Sequence, residues 1–167
     1  LDIGDRVSQT DPDYCYHFLD QGNDTGVGCQ DAYGHGTHVA GILANTHTTG
    51  SPTQYKGVAP GVSIMSIRVL NAEGIGYDSD VAAAIDYAIT KNVKIISMSL
   101  GGTVAPSDPN CYPTDPNGQT LCSCYSTPIS NASDDAFDAG IFVVAASGND
   151  GTIGELNAPA CANKVFS

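Results

Sequence analysis

Gly34-His35-Gly36-Thr37-His38-Val39-Ala40-Gly41 is the stretch from which the rest of the chain can be interpreted. Apolar residues continue to Ala44, which predicts a helix over residues 35–45 that begins where a polar loop ends. A histidine at such a junction has one edge of its ring towards a cleft and a rigid helix behind it, which suits a general base. The alternative interpretation of His35 is a histidine packed in the core.

The composition limits the classes of protein to which the chain can belong. Its 167 residues provide at most one domain, and 18 acidic residues against 6 basic ones give a formal net charge of −12. So acidic a chain repels nucleic-acid phosphates and anionic lipids, and no apolar run approaches the ~20 residues that span a bilayer. We therefore expect neither a nucleic-acid partner nor a membrane role.

Cysteine usage indicates an oxidising compartment. Six cysteines are many for a cytosolic enzyme, and neither their spacing nor the positions of the four histidines fit a zinc site. Six cysteines permit 15 pairings, among which sequence does not choose. Our hypothesis is that Cys15 pairs with Cys29 in a loop ahead of the His35 helix, and that Cys161 pairs with Cys124. These disulfides would place the protein outside the cell.

Alternating strand and helix patterns occupy the middle and the end of the chain. Apolar, β-branched runs predict strands over 62–70, 93–100 and 141–146, with helices over 78–91 and 129–139 between them. Such βαβ spacing predicts an α/β fold with a parallel sheet. Ligands bind such sheets at the carboxyl ends of the strands, so chemistry is expected in loops 71–77, 99–103 and 147–151.

Two segments fall outside this pattern. Residues 1–34 are polar and carry scattered aspartates, which favours a solvated loop; a structural calcium site is the alternative, but the spacing fits no EF-hand. Residues 101–127 contain three cysteines and four prolines, and we interpret about 103–127 as an irregular surface insertion.

Three of these stretches resemble the motifs of one enzyme family. The segment Gly34 to Gly41 is similar to the histidine motif of the subtilisin-like serine proteases, the subtilases or peptidase S8 family. Val144-Ala-Ala-Ser-Gly-Asn-Asp-Gly151 resembles the oxyanion segment of that family, and Ile96-Ser-Met-Ser-Leu-Gly-Gly102 resembles its substrate-binding strand. The resemblance covers about residues 30–167. It implies a three-layer α/β fold around a parallel sheet and a serine endopeptidase that works through an acyl-enzyme, with no metal in the mechanism and no organic cofactor.

The resemblance also implies roles for individual residues. His35 would be the general base, and the side-chain amide of Asn149 would donate to the tetrahedral oxygen. The walls of the pocket for the residue before the scissile bond would be Ser99, Leu100 and Gly101 on one side and Ala146, Ser147 and Gly148 on the other. Gly74, Ile75 and Gly76 would form the opposite edge, so that an extended polypeptide substrate is held between two backbone edges. Walls this small and uncharged predict apolar or permissive specificity, although Asp150 is near enough to leave open a preference for Lys or Arg.

Two members of the expected triad are in question. No segment matches the one that carries the nucleophilic serine, so we expect the chain to be a piece of a catalytic domain, cut at both ends and inactive alone. The aspartate that orients the base is either Asp2 or a residue upstream of the chain. The intact protein would be a secreted monomer; the alternative is a non-catalytic binding module that has lost its nucleophile.

Overall fold

The computed structural model describes residues 13–46, 56–102, 111–112, 121–122, 127–149, 151 and 156–167. The chain divides into two compact units, Leu1–Asp80 and Val81–Ser167, and each is described by itself. Of the helices in the described part, none is long and apolar enough to cross a membrane.

The first unit is built on a three-stranded sheet. Its strands are β1 (Cys15–Leu19), β2 (Asp24–Val27) and β3 (Ser66–Arg68), in the order β2-β1-β3. β1 pairs antiparallel with β2 and parallel with β3, with Cys15 opposite Ser66. The predicted strand over 62–70 is therefore present but is only three residues long.

The interpretation of residues 1–34 as a solvated loop is wrong for residues 15–27, which form the β1–β2 hairpin. The tight turn that reverses the chain has positive φ angles at Asp20 (55°), Gln21 (55°) and Gly22 (83°). The backbone N–H of Gln21 donates to the carboxylate of Asp80 at 3.0 Å, and Asp80 is only 2% exposed. A partner 59 residues away thus stabilises a turn that local sequence does not favour.

The Cys15–Cys29 disulfide is present, as predicted, and both residues are buried. His17 lies between them in sequence, and its ring nitrogens contact the carbonyl of Gly28 at 2.7 Å and the carboxylate of Asp24 at 3.1 Å. Cys161 is also disulfide-bonded; its predicted partner, Cys124, lies outside the described residues.

Two helices follow in the chain. α1 (His35–Ala44) agrees with the prediction for 35–45, and it buries Gly41 and Ala44. α2 (Asp78–Thr90) begins with Asp78 and Asp80 in its first turn, where carboxylates are favourable. It ends as predicted near Asn92, which has φ +54°.

The second unit contains β4 (Ile95–Met98), β5 (Cys111–Tyr112), β6 (Leu121–Cys122), α3 (Pro128–Asp138) and β7 (Phe142–Ala145). β4 and β7 pair in parallel, with Ile95 opposite Phe142 and Met98 opposite Ala145, which confirms the predicted parallel arrangement of these strands. β5 and β6 pair antiparallel, so the insertion expected to be irregular contains a short ladder.

α3 begins and ends where the sequence indicates. The hydroxyl of Thr127 caps it by accepting from the backbone N–H of Ser130 at 3.2 Å. Gly140, at φ +85°, follows its end and leads into β7, whose Val143 is buried.

Candidate active site

His35 is the first residue of α1 and is exposed to solvent. Gly34 occupies the N-cap position in a left-handed conformation, with φ +97°, and has no side chain with which to cap the helix. The first backbone N–H groups of a helix lack partners within the helix, so another group must satisfy them here.

The carboxylate of Asp31 takes that role. One oxygen accepts from the backbone N–H groups of Tyr33 at 3.0 Å and Gly34 at 2.7 Å, and the other accepts from that of Thr37 at 2.8 Å. Asp31 thus bonds to the chain on both sides of His35 and fixes the entrance of the helix.

The hydrogen bonds also determine the charge of Asp31. Partial burial opposes ionisation, but the hydrogen bonds from Gly34, Thr37 and Tyr33 outweigh it and lower the pKa of Asp31 from 3.8 to about 2. A negative charge is therefore held at the amino end of α1, where it stabilises the helix. Sequence reasoning missed this residue because it counted Asp31 among the scattered aspartates of a loop; its place three residues before Gly34, an N-cap residue without a side chain, was the available signal.

The loop that carries Gly74, Ile75 and Gly76 is closed by Asn71. The side-chain oxygen of Asn71 accepts from the backbone N–H groups of Glu73 and Ile75, each at 3.0 Å. The backbone N–H of Asn71 donates to the carbonyl of Ile75 at 2.8 Å. Both backbone polar groups of Ile75 are thus turned towards Asn71, while its side chain is 63% exposed.

The structure brings this loop together with the segment before His35. The side chain of Arg68 donates to the carbonyl of Leu70 at 2.8 Å and to that of Gln30 at 3.1 Å. The ring of Tyr33 lies against Gly74: a Cβ atom added there would be 2.9–3.1 Å from three carbons of the ring. The loop 74–76 therefore contacts the segment just before the histidine motif within the first unit.

In the second unit, the predicted pocket walls leave the same edge of the sheet. Ser99, Leu100 and Gly101 follow β4, and Ala146, Ser147 and Gly148 follow β7. The backbone N–H of Ala146 donates to the carbonyl of Met98 at 2.9 Å, which continues the pairing of β4 and β7 beyond the last residue of each strand. Asn149 comes directly after the second wall and is exposed.

Asn157 lies between the two walls. A Cβ atom added to Gly148 would be 2.9 Å from its amide nitrogen, and one added to Gly101 would be 3.4 Å from its Cβ. Its backbone N–H donates to the carbonyl of Ser147 at 3.2 Å. Sequence reasoning missed Asn157, because it follows β7 at a distance in the chain and no local sequence pattern predicts that it contacts both walls.

Asp2, the candidate for the orienting aspartate, lies outside the described residues. Within the described ranges, no group of three or more His, Cys, Asp or Glu side chains could hold a metal ion. The calcium alternative for the amino-terminal segment therefore stays a prediction.

The family that the sequence motifs resemble is also the one that comparison with known proteins finds. A family model described as the subtilase family matches residues 5–167. The chain belongs to the subtilase family. Subtilisin DY of Bacillus licheniformis is 40% identical over 127 residues, which are 76% of this chain and 38% of that protein. Thermitase of Thermoactinomyces vulgaris is 38% identical over 122 residues, or 73% of this chain and 36% of thermitase.

Solved subtilase-like structures share the fold. S41 Psychrophilic Protease superimposes with a TM-score of 0.67 at 32% identity, over 90% of this chain and 44% of its own. Sphericase gives a TM-score of 0.65 at 31% identity, with the same coverage. The chain thus has the α/β fold of the subtilases, and it spans less than half the length of these relatives.

Proposed function

We propose that the protein is a subtilisin-like serine endopeptidase in which His35 is the general base. It takes the proton from a serine hydroxyl as the oxygen attacks the scissile carbonyl, and it returns that proton to the leaving amine. The position of His35 carries the proposal: it stands exposed at the start of α1, with Asp31 bonded to the backbone on both sides of it. A base held in this way loses little freedom when the substrate binds.

Asn149 is the proposed oxyanion donor. Its exposed amide follows β7, at the edge of the sheet where ligands of parallel sheets bind. The tetrahedral intermediate places a negative charge on the former carbonyl oxygen, and a side-chain N–H directed at that oxygen stabilises it. The second donor would be the backbone N–H of the nucleophile.

The substrate would bind as an extended strand along the loop 74–76. Because Ile75 directs its backbone groups to Asn71, pairing with the peptide falls to the carbonyl of Gly74 and the backbone of Gly76. The residue before the scissile bond would enter the space between the walls 99–101 and 146–148, with Asn157 between them. These walls carry no carboxylate, which favours an uncharged substrate side chain.

In this proposal, the nucleophilic serine lies in a longer chain that includes these 167 residues. The 167 residues alone would then be inactive, and the orienting aspartate would be Asp2 or a residue upstream. The disulfides of Cys15 and Cys161 support a secreted protein, and the net charge of −12 disfavours nucleic-acid and membrane partners. We propose a monomer that acts on polypeptides.

The test measures casein hydrolysis by the full-length protein. His35→Ala should lower the rate about a thousandfold or more, because removal of one triad member disables the unit. His38→Ala is the matched control, since His38 is an exposed histidine of the same helix. Equal activity in wild type and His35→Ala would remove His35 from the mechanism, and a full-length protein without activity would favour a binding module.

A further inference from the structure

We propose that Asn23 accepts an N-linked glycan when the protein is secreted through a compartment that contains an oligosaccharyltransferase, and that Asn131 does not. Each of the two residues begins an Asn-x-Ser/Thr triplet, the acceptor pattern for N-linked glycosylation, over residues 23–25 and 131–133. The structure separates the two triplets, because one lies in an exposed turn and the other in a helix. The inference goes beyond the proposed peptidase function and does not depend on it.

The triplet 23–25 lies where the β1–β2 hairpin turns into its second strand. Asn23 follows the turn and Thr25 belongs to β2, and both residues are exposed to solvent. A Cβ atom added to Gly22 would meet no atom within 4 Å, so the tip of the hairpin has open space beside it. A bulky, solvated sugar therefore fits here without displacing protein atoms.

The side-chain amide of Asn23 keeps its contact with the protein when it is modified. Its nitrogen donates to the carbonyl of Asp20 at 2.8 Å, and the backbone N–H of Asn23 donates to the same carbonyl at 3.1 Å. An amide nitrogen carries two hydrogens, and glycosylation replaces one of them, so the remaining N–H retains the bond to Asp20. The turn therefore presents the acceptor nitrogen in one position before and after modification.

The donor of the glycan is a lipid-linked oligosaccharide diphosphate. The amide nitrogen of Asn23 forms a bond to C1 of the first sugar while the bond from C1 to the phosphate oxygen breaks. The lipid diphosphate leaves, and one amide proton passes to a base of the transferase. The transferase must also reach the hydroxyl two residues after the acceptor, and the exposure of Thr25 permits this.

A neighbouring aromatic residue offers the first sugar an apolar surface. Phe18 in β1 pairs directly with Thr25, so the side chains of these two residues lie on the same face of the sheet. The ring of Phe18 packs against that of Tyr16, with 5.2 Å between their centroids, and Phe18 is partly exposed. The C–H groups of a sugar gain free energy by covering such a ring, which favours a glycan at this end of the hairpin.

The triplet 131–133 lies within α3, with its serine inside the protein. Ser133 is 0% exposed, and its hydroxyl donates to the carbonyl of Ile129 at 2.7 Å. Asn131 is exposed, but the hydroxyl that the transferase must reach is already bonded within the helix. Transfer to Asn131 would require α3 to open, so we expect this site to stay unmodified.

The experiment determines the occupancy of each site by peptide mass spectrometry of the full-length protein, secreted from a eukaryotic host cell. A peptide N-glycosidase converts a glycosylated Asn into Asp, and an untreated sample accounts for spontaneous deamidation. We expect conversion at Asn23 and none at Asn131. Thr25→Val, which removes the hydroxyl and keeps the shape of the side chain, should abolish the conversion at Asn23. Thr25→Ser is the matched control, because it keeps the hydroxyl and should retain the conversion.

Three results would overturn the inference: no conversion at Asn23 in wild type, equal conversion at Asn23 and Asn131, or conversion at Asn23 that persists in Thr25→Val. The wild-type measurement decides the first two without any substitution, so a variant that fails to fold does not leave the inference undecided. Peptidase activity is not part of the readout. Loss of casein hydrolysis in His35→Ala, or its absence from the full-length protein, therefore bears only on the proposed function.

Discussion

The carboxylate of Asp31 accepts a hydrogen bond from the backbone N–H of Thr37 at 2.8 Å, and His35 lies between the two residues in the chain. The same carboxylate bonds to the backbone N–H groups of Tyr33 and Gly34. One ionised group therefore fixes the segment that carries the proposed base. Its ionisation should be visible in the stability of the protein.

Asp31→Asn should reduce stability and weaken its dependence on acid. The folded pKa of about 2 lies below the reference value of 3.8, so this contribution is fully present above about pH 4 and is lost as the pH falls towards 2. A shift of that size corresponds to about 2 kcal/mol, and solvent screening of a partly exposed group reduces the expected loss at pH 7 to about 1 kcal/mol. Urea unfolding of wild type and variant at intervals from pH 5 to pH 2 measures it.

The control for this prediction is Asp86→Asn, which changes an exposed carboxylate of α2 and should leave the acid dependence as it is in wild type. If Asp31→Asn and wild type lose stability in parallel below pH 4, the carboxylate of Asp31 does not contribute as described.

Gly74→Ala should destabilise the protein for two separable reasons. The left-handed backbone costs a residue with a Cβ about 1 kcal/mol, and displacement of the Tyr33 ring adds a similar amount, for a total of about 2 kcal/mol. In the Tyr33→Ala background the second part disappears, so Gly74→Ala should then cost about 1 kcal/mol. Chemical denaturation of the four proteins of this cycle gives both values.

Gly61→Ala is the matched control for that cycle, because an added Cβ atom there meets nothing within 4 Å and the backbone is not in the left-handed region. It should change stability by less than about 0.5 kcal/mol. Equal costs of Gly74→Ala with and without Tyr33 would show that the ring does not rest on this glycine in solution.

The sequence predicted best those elements whose signals are local. α1 and α3 agree with the prediction to within one residue at each end, because apolar spacing and the glycine after α3 define them. The parallel pairing of β4 and β7 was correctly predicted, since strands with a helix between them pair in parallel and end at the same edge of the sheet. That the residues after these strands are pocket walls stays a prediction.

The features that the sequence did not predict are contacts between residues far apart in the chain. The β1–β2 hairpin turns through positive φ angles at Asp20 and Gln21, and the partner of this turn is Asp80 in α2. Asn157 likewise meets Gly101 and Gly148 only through the return of the chain after β7. Neither of these contacts produces a periodic pattern in the sequence, because the residues involved become neighbours only in the folded chain.

Removal of the Cys15–Cys29 disulfide should destabilise the first unit. The bridge closes a segment with a sequence separation of 14, for which restriction of the unfolded chain is worth about 3 kcal/mol. The double variant Cys15→Ala/Cys29→Ala should therefore melt about 6–12 °C below wild type in a calorimetric scan. The variant leaves the disulfide of Cys161 intact, which a reductant would not. A melting temperature within about 2 °C of wild type would contradict the prediction.

Asn157→Asp should change the preference of the full-length protein at the residue before the scissile bond. The substitution keeps the shape of a side chain that lies against Gly148 and above Gly101, but it places a carboxylate between two uncharged walls. A Lys or Arg side chain that enters this space would then find an opposite charge with little water, so kcat/KM for such substrates should rise about tenfold relative to Leu. Asn163→Asp, at an exposed position of the same segment, adds an equal charge away from the walls and should leave the ratio unchanged. A shift of the same size in both variants would mean that the net charge of the protein, and not the place of Asn157 between the walls, sets the preference.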